Sequence, residues 1–172
     1  MNASFAPRAP LDQWPVQWSD PAFGFGWITL APVAIVTQSV PDRGIVEGVE
    51  AVQDFLDEAL RLLGPARVQG AVVLHDWRSL HAIDPAARAA WNARARRPGR
   101  PFRTLGSTAI ATSASRVVRM ALQTSSLATQ LVTGAPPTRI VVDPTGVMRG
   151  HGLSAPPFGV LERLRAELRR TG

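Results

Sequence analysis

The chain has 172 residues, of which 45 % are hydrophobic, enough for one globular domain with an appended arm. It contains no cysteine, no tyrosine and no lysine, since all 19 basic residues are arginines. Those absences exclude disulfides, thiolate nucleophiles, Cys-ligated metals, lysine Schiff bases, P-loop lysines and tyrosine acid–base chemistry. The net charge of +6 is unevenly placed. Arg78, Arg88, Arg94, Arg96, Arg97, Arg100, Arg103, Arg116 and Arg119 crowd the middle of the chain, while the stretch from Glu47 to Glu58 is acidic, a field that can steer an anionic partner.

The first 25 residues carry Pro7, Pro10, Pro15 and Pro21 among Trp14, Trp18, Phe23 and Phe25. Proline forbids a long helix here, so residues 1–25 are expected as an arm or an edge strand built on the alternation Trp14, Val16, Trp18. The globular domain is expected over 26–172. From Trp27 to Val40 the pattern is strand-like and Pro32 divides it in two. Residues 45–63 spell an amphipathic helix, with Ile45, Val49, Val52, Leu56, Ala59 and Leu63 on one face, stopped by Gly64-Pro65.

The run Ala71-Val72-Val73-Leu74 has no polar alternation before His75, as in a buried parallel strand. It leads into Asp76-Trp77-Arg78-Ser79-Leu80-His81-Ala82-Ile83-Asp84-Pro85, a joint in which Asp84 caps a helix with Pro85 at its first position. That helix ends before Pro98. Ser107 to Thr112 predicts a further buried strand. Ser113 or Ser115 then caps a helix to about Val132, with Val117, Met120, Thr124, Ala128 and Leu131 on one face. Arg139 to Val142 is a strand closed by Asp143-Pro144, a Gly- and Pro-rich loop follows, and residues 158–170 form a last helix with Val160, Leu161, Leu164 and Leu168 inside.

The resulting order is β-β-α-β-α-β-α-β-α, and strands alternating with helices predict an α/β domain with a mainly parallel sheet of about 4–6 strands and right-handed crossovers. Open sheets of this kind bind ligands at the carboxyl ends of their strands. That rim carries His75, Asp76, Trp77 and Arg78 from one strand, Thr112, Ser113 and Ser115 from the next, and Asp143 and Thr145 from another. The same residues are more simply explained as turn and cap residues that satisfy helix N–H groups. His75, His81 and His151 lack metal-ligand spacing, no G-x-S-x-G elbow is present, and no glycine-rich phosphate loop exists. No catalytic residue, metal or cofactor is assigned. The arginines from Arg94 to Arg103 suit an acidic protein, an acidic lipid headgroup or nucleic acid, or simply complement a helix end.

The order of elements, together with Asp76 at a strand end and Asp84 eight residues later at a helix start, resembles the STAS domains of anti-sigma-factor antagonists, and more closely their STAS/CRAL-TRIO-like branch. Leu80 and Ile83 fall where that family places apolar residues. The resemblance implies a regulatory or scaffolding protein that acts by binding another protein. In the phospho-regulated members Ser or Thr follows the second Asp, but here Pro85-Ala86-Ala87 follow, so no phosphoacceptor stands at the helix start.

The expectation is therefore a non-enzymatic protein-binding module whose contact surface includes Asp76, Trp77, Arg78, Asp84, Arg88, Trp91, Arg94 and Arg97, with Trp77 and Trp91 as large anchors. A carrier of a small molecule or lipid is the alternative, and a nucleic-acid binder using the arginines is the third. The start Met1-Asn2-Ala3-Ser4-Phe5 has neither the basic residues nor the apolar stretch of a secretory signal, and a cytoplasmic location is expected.

Overall fold

The computed structural model describes residues 16–20, 22–30, 32–95, 108–113, 115–133, 138–142 and 145–152. Its core is a six-stranded sheet in the order β1-β2-β3-β5-β7-β8, where β1 is Val16–Asp20, β2 Gly24–Leu30, β3 Val33–Ser39, β5 Val72–Asp76, β7 Thr108–Thr112 and β8 Arg139–Val141. A second, two-stranded ladder pairs β4 (Arg43–Gly44) with β6 (Ala82–Ile83) in parallel. The helices are α1 (Val46–Val68), α2 (Pro85–Ala95), α3 (Arg116–Thr133) and the short α4 (Thr145–Gly150).

The expected α/β class is present, but the sheet is mixed rather than mainly parallel. β1, β2 and β3 form an antiparallel meander, whereas β3, β5, β7 and β8 pair in parallel. Short turns explain the antiparallel half: two strands joined through a few residues can only reverse direction, while each parallel step needs a crossover helix. In the parallel half every crossover advances one strand in the same direction. Right-handed connections then place α1, α2 and α3 on one face of the sheet. The packing agrees, because Trp91 of α2 joins both the cluster under α1 and the cluster of Trp77, Leu80 and Val118 at α3.

The helix-facing core alternates along each strand. Ile28, Ile35 and Val73 meet Val52, Phe55, Leu56, Ala59 and Leu63 of α1. The opposite face holds Trp27, Val36 and Leu74, all buried as well, which is why β5 shows no polar alternation in sequence. Gly64 (φ 68°) breaks α1, so Gly64-Pro65 does interrupt the helix as expected; Pro65 opens one further helical turn that closes with Gln69 N donating to Pro65 O at 3.3 Å.

Two features depart from the sequence expectations. β4 and β6 were not anticipated, since two-residue strands leave no periodic pattern. Helix α4 occupies what was expected as loop after Asp143-Pro144. Helix α2 is described from Pro85 to Ala95, and the arm before Val16, the arginines Arg96, Arg97, Arg100 and Arg103, and the expected helix over 158–170 lie outside the described residues.

Gly26 shows how tightly α1 sits on the meander. It pairs with Trp18 across β1–β2, and Phe55 lies over it while stacking on Trp18 with ring centroids 5.7 Å apart. A Cβ at Gly26 would stand 2.4 Å from the Phe55 ring. The missing side chain is thus the space that the phenyl ring fills, an aromatic ring covering a strand glycine. Gly26→Val is expected to displace Phe55 and cost about 1–3 kcal/mol, typical of overpacking. Urea unfolding of the full chain checks this; an unchanged midpoint would contradict it.

Candidate functional site

The parallel register sets four polar side chains side by side at the carboxyl ends of β3 and β5. Thr37 is opposite His75, and Gln38 is opposite Asp76. Because successive residues alternate faces, the first pair points to the helices and the second to the other face.

On the helical face a 2.7 Å hydrogen bond joins Thr37 Oγ1 and His75 Nδ1. The His75 ring stacks on Trp77 at 5.3 Å and meets Trp91 edge-on at 5.1 Å; Trp77 and Trp91 are also edge-to-face at 5.1 Å. Such pairings contribute about 0.5–1.5 kcal/mol each beyond area burial. Trp91 reaches this trio because Ala87, one turn earlier and fully buried, lets α2 approach the sheet closely. His75 and Trp77 are therefore packed groups, and Trp91 is half-buried between the two helix clusters.

On the other face Asp76 has no exposed side-chain surface. Its Oδ2 accepts from Gln38 Nε2 at 2.8 Å and from Arg78 Nη2 at 2.9 Å; its Oδ1 accepts from Arg78 Nε at 2.9 Å and from the Arg78 backbone N–H at 3.1 Å. The bidentate pair and the local turn come from the spacing Asp76-Trp77-Arg78 itself. An Asp two residues before a backbone N–H closes an Asx turn, and the arginine at that same position folds its guanidinium back onto both oxygens. The Oε1 atom of Gln38 is buried without a hydrogen-bond partner.

From this anchor the chain runs to α2 along a fixed path. Ser79 Oγ donates to Ser39 O at 2.7 Å, and Leu80 N–H to Trp77 O at 3.1 Å. The β4–β6 ladder then holds the segment: His81 N–H donates to Asp42 O at 2.6 Å and Asp84 N–H to Gly44 O at 2.9 Å. Asp84 was expected to cap α2 through its carboxylate. Instead its backbone carbonyl accepts the first helical bond, from Arg88 N–H at 3.0 Å, while its carboxylate is taken by Arg43 Nε at 2.5 Å. Ser115 does cap α3: Val118 N–H donates to its Oγ at 3.3 Å, and the same hydroxyl donates to His81 O at 3.2 Å. Through that bond α3 is fastened to the joint.

Of the sequence-predicted surface residues, Arg94 is spoken for. It bonds Asp54 and Asp57 of α1, the latter at 2.9 Å, and only 17 % of its side chain is exposed. Burial alone would lower its pKa, but the bonds to Asp57 and Asp54 outweigh that and raise it. Asp54 and Asp57 of the acidic stretch in α1 thus clamp α2. Arg88 is exposed; Arg97 lies outside the described residues, as does Asp143. Sequence reasoning passed over Thr37, Gln38 and Arg43. A signal existed for the first two, since β3 and β5 both close on a polar pair, Thr37-Gln38 and His75-Asp76, which a parallel register brings together.

The start of α2 is open to solvent. His81, Pro85, Ala86, Arg88 and Ala89 are all exposed there. Within the parallel half the order β3-β5-β7-β8 never reverses, so no crevice between diverging crossovers forms among the described strands. Among the described residues no three His, Cys, Asp or Glu side chains come together as a metal site, and no helix is long and apolar enough to cross a membrane. No family model matches the chain, and no curated protein and no solved structure matches it.

The geometry orders the consequences of mutation. Arg78→Ala strands a fully buried carboxylate without its cation, which costs about 3–5 kcal/mol. Asp76→Asn keeps the shape, and Arg78, 30 % exposed, turns its charge to water, so about 1–3 kcal/mol is lost. Chemical denaturation of both variants should show Arg78→Ala as the more damaging, and the reverse order would contradict the assignment.

Proposed function

We propose that the chain is a non-enzymatic binding module of STAS-like architecture, acting as a regulator or scaffold for another protein through the joint after Asp76 and the exposed first turns of α2. The observation that carries this reading is the contrast within the joint. Its carboxylates Asp76 and Asp84 and its guanidinium Arg78 are engaged in internal bonds, while His81, Pro85, Ala86, Arg88 and Ala89 are exposed on a backbone pinned by the β4–β6 ladder. Rigid backbone presenting small side chains lowers the ordering cost of association, and one exposed arginine beside them supplies a polar anchor.

The meander feeding a parallel β-α-β-α-β-α-β run, and the eight-residue interval between Asp76 and Asp84, support the STAS-like part of the proposal. The start of α2 offers Pro85 and Ala86, neither of which accepts a phosphoryl group. Binding at this surface is therefore constitutive rather than gated by phosphorylation there.

Affinity capture with the full chain, run beside Ala89→Arg, tests the proposal. Ala89 is exposed on α2, so the substitution leaves folding intact. A partner retained stoichiometrically by the native chain and lost at least tenfold by Ala89→Arg, about 1.4 kcal/mol or more, is the expected result. A partner held equally by both proteins contradicts it.

A further inference from the structure

Helix α3 buries Val118 and Ser126 yet leaves Val117, Met120, Leu127 and Leu131 exposed, at 67, 58, 58 and 87 %. With Thr124 these residues fall at 117, 120, 124, 127 and 131, the alternating three- and four-residue steps of a coiled-coil seam. The sequence grouped most of them as one apolar face, as a core-facing helix would show. Among the described residues nothing buries that face.

We propose that this seam is a self-association surface, on which α3 of a second copy of the chain packs antiparallel about a two-fold axis. Three observations select this occupant. The first is the spacing, which matches a partner helix with the same repeat and which a second copy supplies by definition. The second is charge. The chain carries a net +6, so two copies approach against repulsion unless the contact is neutral; α3 has no charged residue from Met120 to Thr133, and its seam is flanked by Ala121, Ala128, Gln123 and Gln130. From Met120 onward a charged partner would find nothing complementary there. The third is the position of the one exposed charge, Arg116, in the first turn of α3. In a parallel pair the two Arg116 side chains would lie together. In an antiparallel pair each lies at the other helix's C-terminal end, where the carbonyl dipoles favour a cation.

The polar residue at the centre of the seam is already satisfied. Thr124 Oγ1 donates to Met120 O at 3.0 Å, so covering it leaves no hydroxyl without a partner. Helix α3 is about 27 Å long at 1.5 Å per residue, enough for five successive seam layers.

Sedimentation equilibrium on the full chain tests the association. The native protein is expected to dimerise reversibly, and Leu127→Glu, on an already exposed position, to weaken the dimer at least tenfold with an unchanged circular-dichroism spectrum. A single-chain mass for the native protein at every concentration overturns the proposal and leaves the seam to the chain's own remaining residues; a dimer that Leu127→Glu does not weaken overturns it as well. Orientation is tested separately, because the chain has no cysteine of its own. Oxidation of Thr124→Cys alone, and of Val117→Cys mixed with Leu131→Cys, is expected to give cross-linked dimers. Cross-linking of Val117→Cys with itself but not with Leu131→Cys overturns the antiparallel arrangement.

Discussion

A carboxylate with no exposed surface closes the central parallel strand. Removing such a charge from water costs several kcal/mol, and Asp76 meets that cost with four donors: Gln38 Nε2 and the backbone N–H, Nε and Nη2 of Arg78. The consequence is directional. Gln38 comes from the neighbouring strand and Arg78 from the turn that follows, so the buried charge is stable only when β3, β5 and the start of the joint hold one mutual arrangement. A hydrophobic side chain at position 76 would not impose that register.

The path from β5 to α2 follows from this fixed start. Ser79 is bonded to the end of β3, residues 81–84 are bonded to residues 42–44, and α3 is bonded back to His81 through Ser115. On the opposite side of the sheet plane Thr37, His75, Trp77 and Trp91 pack as a polar-aromatic cluster, and Arg94 ties the far end of α2 to α1. Helix α2 is thereby held at both ends, and its solvent side is left as a rigid, small-residue surface.

The elements with strong periodicity were legible in the sequence. Helix α1 was legible down to its break at Gly64, and β3, β5, β7 and β8 were legible as apolar runs. The joint was legible as a joint, through Asp76, Asp84 and Pro85, but not as a ladder, because two-residue strands such as β4 carry no pattern and depend on a partner 39 positions away, as Arg43 pairs with Ala82. The roles of charged residues were the least legible. Arg94 reads as part of a basic surface in sequence, yet its partners Asp54 and Asp57 lie 40 and 37 positions away and are fixed only by tertiary geometry, whereas the Arg78–Asp76 pair is local. The apolar face of α3 was legible as a face, while its exposure among the described residues was not, since periodicity says that a stripe exists and not what covers it.

The claim that the buried Asp76 makes the joint a rigid fixture is tested most directly by native-state amide hydrogen exchange. The amides of Arg78, Leu80, His81 and Asp84 donate to Asp76 Oδ1, Trp77 O, Asp42 O and Gly44 O. They are predicted to exchange only through global unfolding, at the same opening free energy as the amides of β5. Exchange of these four through a local opening, well below the free energy that protects β5, would contradict the account.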